Sequence, residues 1–167
     1  MKESSYLEGQ VQVIDKIKNL PIFKPYNDAE VKSLLRLSKI RMYKPNEIII
    51  YENADDKWMY FLISGSVQVE KQNKVLSEIN EIGDFFGELG FIDEDPRSAS
   101  VRAVKDSVCL AVDMAYLLKI KEDGHDSFHA SIYMMLSKIL AHRLRQTNIK
   151  YIETKKELDR LKKMYGS

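Results

Sequence analysis

Between Glu47 and Val112 turn residues cut the chain into short apolar runs, roughly every 8–12 residues, and this rhythm restricts the fold more than any other feature. "EIIIY" (Glu47–Tyr51) is rich in β-branched residues. "MYFLISGSVQVE" (Met59–Glu70) breaks at Gly65 and then alternates through Val67 and Val69. "KVLSEI" follows the polar turn Gln72-Asn73, and "SASVRA" and "SVCLAV" supply two further strands. Short β-rich runs at this spacing predict an all-β sandwich or barrel rather than a helical bundle. Cys109 falls inside one of these runs and reads as a core cysteine.

The pattern changes on both sides of this segment. Leu7, Val11, Ile14, Ile17 and Leu20 follow a helical spacing that Pro21 ends. A second helix is expected from an Asn27 or Asp28 cap through Leu37. After Asp113 the chain turns helical again, and Asp126 or Ser127 can cap a long helix running towards Met164. Along it Leu140, Leu144, Thr147, Tyr151, Thr154, Leu158, Leu161 and Tyr165 alternate spacings of four and three, which is a heptad seam. From Lys138 to Lys163 nine Lys or Arg stand against three acids, the charge of a solvated coiled-coil face. The expected organisation is N-terminal helices over 1–40, the β sandwich or barrel over 41–113, and C-terminal helices over 114–167 that dimerise from about residue 136.

The whole chain of 167 residues carries a net charge of +1, so no global field points to nucleic acid or to a membrane surface. The N-terminus lacks a signal-peptide run, and no segment approaches about 18 uncharged apolar residues, so a cytoplasmic protein is expected. One cysteine excludes an internal disulfide. His125 and His129 are four apart, but no HExxH accompanies them, and no metal site is expected. No serine, histidine and aspartate stand beside a strained glycine elbow, so binding rather than catalysis is expected.

The stretch that carries chemistry is "FGELGFIDEDPRSASVRA", Phe86 to Ala103. A short helical turn starting near Gly87 presents the amides of Gly87, Glu88 and Leu89 to an anion. Arg97 can reach the same anion, and its planar fork suits a phosphate. Glu88 would repel a phosphate unless the ligand also offers donors, such as sugar hydroxyls. Phosphate acceptors beside ribose donors mean a nucleotide. No GxxxxGK motif is present to hold a triphosphate.

This stretch closely resembles the phosphate-binding cassette of the cyclic nucleotide-binding domain family, in which Phe-Gly-Glu and a Leu-Gly pair are followed, after a short spacer, by Pro-Arg-Ser-Ala-Ser-Val. Here those are Phe86 to Phe91 and Pro96 to Val101. The resemblance extends to Lys44-Pro45-Asn46-Glu47, to Gly65-Ser66 and to the flanking helices, from about Ile14 to Thr147. It implies a double-stranded β-helix, a jelly-roll-like β-roll of about eight strands, followed by a long C-terminal helix. It also implies that Glu88 accepts from the ribose 2′-hydroxyl and that Arg97 grips the cyclic phosphate. The amides near Gly87, Leu89, Ser98 and Ala99 and the Ser98 hydroxyl would complete the cradle, with Phe86 and Leu89 as apolar wall.

"HRLRQTN" is similar to the family's base-contacting helix, so Thr147 and Asn148 are expected at the purine, and Thr147 favours cyclic AMP over cyclic GMP. Asn46 and Asn53 replace glycines common in the family, and asparagine tolerates the left-handed backbone those turns need. A cassette that had lost its ligand would be expected to lose Arg97 or Glu88 first, since neither would hold the core. No cofactor is expected beyond the nucleotide. The family's DNA-binding regulators need a helix-turn-helix after the long helix, so DNA binding by this chain alone is not expected. The rivals are the sensor fragment of such a regulator, or a ligand-free dimerising scaffold. The heptad predicts a parallel homodimer through Leu140–Leu161. Sedimentation should show a dimer at tens of micromolar, and a monomer with and without ligand would contradict it.

Overall fold

A computed structural model of the chain describes residues 1–7, 17–20, 23–24, 27–92, 95–119 and 126–165. It contains two units, Met1–Glu122 and Asp123–Ser167. The first unit is mainly antiparallel β-sheet. Its strands are β1 (Lys2–Tyr6), β2 (Ser38–Tyr43), β3 (Ile48–Ile50), β4 (Trp58–Ser64), β5 (Val67–Lys71), β6 (Lys74–Ile79), β7 (Phe85–Phe86), β8 (Ser100–Ala103) and β9 (Ser107–Asp113). They form a five-stranded sheet in the order β1-β2-β9-β4-β7 and a four-stranded sheet in the order β3-β8-β5-β6.

Alternation along the strands explains why the sheets pack face to face. Tyr43, Tyr60, Leu62, Cys109 and Ala111 of the larger sheet share one core with Ile49, Ile50, Val67, Ile79, Val101 and Ala103 of the smaller. The larger sheet is apolar on its other side too. There Phe61, Leu110 and Val112 are buried, and Phe61 packs on Phe23 with ring centres 5.4 Å apart. That second layer is why β4 and β9 read as continuous apolar runs.

Helix α1 (Asp28–Arg36) begins where expected, with the Asn27 carbonyl accepting the Val31 amide at 3.1 Å. It buries Val31, Leu34 and Leu35. Two short helices follow, α2 (Leu89–Ile92) and α3 (Met114–Lys119). Asp113 caps the latter by accepting the Tyr116 amide at 3.0 Å. The second unit holds α4 (Asp126–Tyr165), which at 40 residues is about 60 Å long. Its seam positions Leu144, Tyr151, Leu158, Leu161 and Tyr165 are all exposed.

The N-terminal segment differs from the expected helices. Lys2–Tyr6 is a strand, and β2 opens at Ser38, both inside the stretch read as helical. The cause is tertiary: β1 adds to the free edge of β2, with Glu3 opposite Arg41 and Lys2 opposite Met42, pairing that local periodicity cannot reveal. Most of the helix expected up to Leu20 lies outside the described residues, though Ile17 and Lys18 are helical. The two-residue β7 and β2 also had no local signal of their own.

The turns hold as their residues require. Asn46 and Asn53 take φ of 69° and 63°, and Gln72 and Asn73 take 50° and 63° across the β5–β6 hairpin. Gly65 is the least replaceable. Its φ is 104°, and a Cβ there would lie 2.4 Å from Ser107 Oγ and 2.5 Å from Ser107 Cα. Gly65→Ala should therefore cost at least about 1–3 kcal/mol, read as a lowered midpoint in urea unfolding. A variant as stable as the parent would mean that the turn relaxes freely.

Candidate functional site: the cassette and its buried arginine

The described parts of the Phe86–Ala103 stretch run from the end of β7 through α2 to β8. Phe86 ends β7 and lies in the core, its ring stacked on Tyr60 with centres 5.2 Å apart and planes 8° apart. Gly87 follows with φ of 82°. A Cβ on it would come within 2.9 Å of Ile50 Cδ1, 3.0 Å of the Trp58 carbonyl and 3.1 Å of Arg97 Nη1, so only glycine fits beside the arginine. Glu88 is buried, and the short helix α2 begins at Leu89.

Arg97 is 3% exposed, and its side chain is held from three parts of the chain. Nη2 donates to Asp56 Oδ1 and to the Trp58 carbonyl, each at 2.5 Å. Nε donates to Asp56 Oδ2 at 3.3 Å, and Nη1 donates to the Gly87 carbonyl at 2.5 Å. The backbone is fastened as well. The Arg97 amide donates to the Ala54 carbonyl at 2.9 Å, and the Asn53 amide donates to the Arg97 carbonyl at 2.8 Å. A guanidinium out of water needs such acceptors, because an unpaired buried charge is strongly destabilising.

Arg97 and Glu88, read from sequence as the two ends of one site, are therefore both buried, and Arg97 bonds the carbonyl of the residue just before Glu88. Phe86 and Gly87 belong to the same cluster. Leu89 is 44% exposed on the first turn of α2, Ser98 is exposed, and Ala99 is half-buried. Thr147 and Asn148 are exposed positions of α4, in the second unit. Of the acidic turn, Asp93 and Glu94 lie outside the described residues, as do the side chains of His125, His129 and His142. Among the described residues no group of His, Cys, Asp or Glu is placed to hold a metal ion. No helix among them is long and apolar enough to cross a membrane.

Arg97, expected to be dispensable to the core, is absent from the apolar core but joins the β3–β4 connection, β4 and the cassette through its polar contacts. Sequence reasoning missed Asp56, the carboxylate that carries this joint. Nothing in "DDKW" separates it from an ordinary solvated turn; only the fold brings it to a residue 41 positions away.

Residues 40–123 match the profile of the cyclic nucleotide-binding domain. The chain belongs to that family. Relatives of the cyclic nucleotide-binding domain family include a cGMP-dependent protein kinase of Plasmodium berghei (strain Anka), 33% identical over 107 residues, or 64% of this chain and 12% of the kinase. They also include the cAMP-activated global transcriptional regulator CRP of Salmonella typhimurium, 31% identical over 138 residues, or 76% of this chain and 60% of the regulator. The chain thus spans less than two thirds of either relative. A crystal structure of a cyclic nucleotide-binding domain from Methylobacillus flagellatus superposes with a TM-score of 0.74 at 16% identity, covering 92% of this chain and 88% of that one. This likeness shows the shared β-roll fold.

Burial pushes the Asp56 carboxyl up, but hydrogen bonding and charge from Arg97, the Trp58 amide and the charge of Arg41 outweigh it and hold it below the ordinary value of 3.8. A carboxylate depressed in the folded state stabilises fully above its unfolded value and loses that contribution as pH falls through the folded value. Asp56→Asn should therefore lower stability near neutral pH by about 1–3 kcal/mol, towards the lower end because Asp56 is partly in water. Thermal unfolding followed from about pH 6 to about pH 3 should show parent and variant converging at the acid end. Parallel curves across the whole range would show that the Asp56–Arg97 pair contributes nothing.

Proposed function

We propose that this chain is a cytoplasmic, non-enzymatic sensor that binds a cyclic nucleotide in the β-roll, with Arg97 on the cyclic phosphate and Glu88 on the ribose 2′-hydroxyl. The observation that carries this reading is the burial of a guanidinium and a carboxylate at the two sides of Gly87 in a cassette of the cyclic nucleotide-binding domain family. Asp56 neutralises Arg97 before the ligand arrives, and the phosphate then takes its share of the guanidinium. The Gly87, Leu89, Ser98 and Ala99 amides and the Ser98 hydroxyl complete the cradle, and Phe86 and Leu89 supply the apolar wall.

Cyclic AMP is favoured over cyclic GMP, with Thr147 and Asn148 meeting the base and α4 pairing as a homodimer. The ligand repositions α4 by its differential affinity for two arrangements. A micromolar ligand supplies about 8 kcal/mol in all, more than a few kcal/mol of helix movement requires. A second reading is favoured by the match to 60% of a transcriptional regulator: this chain is the sensor portion of a longer regulator. It predicts the same ligand, and gel-shift titration at fixed salt on any longer form would identify it.

Thermal-shift screening with cyclic AMP, cyclic GMP and the corresponding linear monophosphates tests the reading. The cyclic forms should raise the melting temperature and the linear ones should not. Arg97→Ala should weaken binding by about 2–5 kcal/mol, roughly thirty-fold to several-thousand-fold. Because Arg97 also joins three segments, the ligand side provides the cleaner arm. A 2′-deoxy cyclic nucleotide should bind the unaltered protein roughly ten- to hundred-fold more weakly, by loss of a hydrogen bond to the Glu88 carboxylate. No shift with either cyclic nucleotide would overturn the reading and leave the ligand-free scaffold.

A further inference from the structure

Trp58 is the only tryptophan of the chain, and its backbone meets the cassette arginine. Its carbonyl accepts from Arg97 Nη2, and its amide donates to Asp56 Oδ1 at 3.2 Å. Its indole packs against the core and carries the Arg41 guanidinium 4.0 Å from the ring centre, with Lys39 Nζ 5.9 Å away. Arg41 Nη1 donates to the Tyr60 hydroxyl at 2.7 Å. Tyr60 stacks on Phe86, whose neighbour Gly87 gives its carbonyl to Arg97 Nη1.

These contacts close a circuit: Arg97, Trp58, Arg41, Tyr60, Phe86, Gly87 and back to Arg97. An outside strand holds it. Glu3 of β1 accepts from Arg41 Nε at 2.5 Å and from Lys39 Nζ at 2.7 Å, and stands opposite Arg41 in the β1–β2 register.

We propose that Arg41 is a positioning residue for the phosphate-gripping arginine: clamped by Glu3 and spread between Trp58 and Tyr60, it fixes both carbonyls that aim Arg97. Three observations separate this from a chance surface pair. A cation stacked on one aromatic and bonded to a second has two restraints on its plane, whereas exposed pairs have one or none. Arg41 is half-buried, so its charge must be matched, and Glu3 and Tyr60 match it. The Trp58 carbonyl sits on β4 and the Gly87 carbonyl just past the end of the neighbouring β7, and the Trp58–Arg41–Tyr60–Phe86 chain of contacts spans that join. By this account β1 does more than cover a sheet edge. Through Glu3 its docking is coupled to the cassette.

The affinity arm of the test rests on the cyclic nucleotide reading; the spectroscopic arm does not. In the ligand-free full chain, the Arg97 Nε–H, held by Asp56, should give a protected side-chain resonance in proton–nitrogen correlation spectra. Arg41→Met keeps the stem and removes the charge. It should move that resonance and speed its exchange with water, while the amides of β5 and β6 stay as in the parent. Cyclic nucleotide affinity should fall about three- to thirty-fold, the range of a partly desolvated cation–aromatic contact. Arg41→Lys should recover part of both effects, and Glu3→Gln, on an accessible strand, should move both in the same direction by less.

An unchanged Arg97 Nε–H and unchanged affinity in Arg41→Met would overturn the proposal. If Arg41→Met does not fold, the Glu3→Gln comparison decides by the same two readouts. A parent that binds no cyclic nucleotide overturns the function, and the Nε–H comparison then decides the positioning role by itself.

Discussion

A guanidinium buried to 3% exposure imposes conditions on everything around it. It cannot shed its charge, so its N–H groups need acceptors within the protein. Arg97 finds one carboxylate, Asp56, and two backbone carbonyls, those of Trp58 and Gly87. These come from the β3–β4 connection, from β4 and from the cassette. The arginine can be satisfied only when the roll has closed, so the fold and the site are parts of a single arrangement. Gly87 follows from this requirement, since a side chain there would collide with Arg97 and with the carbonyl it uses.

The two sheets give that arrangement its rigidity. Tyr43, Tyr60, Leu62, Cys109 and Ala111 meet Ile49, Ile50, Val67 and Val101 in one core. Cys109 is one of these core residues, and burial pushes its thiol up to about 12. Phe86 belongs to this core, stacks on Tyr60 and leads directly into Gly87 and Glu88. The long helix α4 is built differently. Among the described residues its seam positions Leu144, Tyr151, Leu158, Leu161 and Tyr165 are exposed rather than packed in a core.

Much of the fold was legible because it rests on short-range chemistry. The runs that became β3, β4, β5, β6, β8 and β9 announced themselves by β-branching and alternation, and Asn46, Asn53, Gln72 and Asn73 marked turns by tolerating positive φ. Strands β1, β2 and β7 were not legible, because their state depends on a neighbour's free edge. At the site, Glu88 and Arg97 were visible as a spacing of residue types. Asp56 and Arg41 were not, since an aspartate in a polar turn and an arginine in a strand look the same whether or not they face a partner.

The amino-acid sequence by itself therefore determined the class of the fold, the place of the cassette and the pair of charged residues at its ends, all properties of local backbone preference and of motif spacing. Only the tertiary structure decided how Arg97 is neutralised, that it is a joint as well as a ligand-binding candidate, and that an N-terminal strand pairs with β2. Electrostatic partnership is a matter of distance in space, and a burial that leaves one guanidinium facing Asp56 across 41 residues of chain exists only once the sheets have packed.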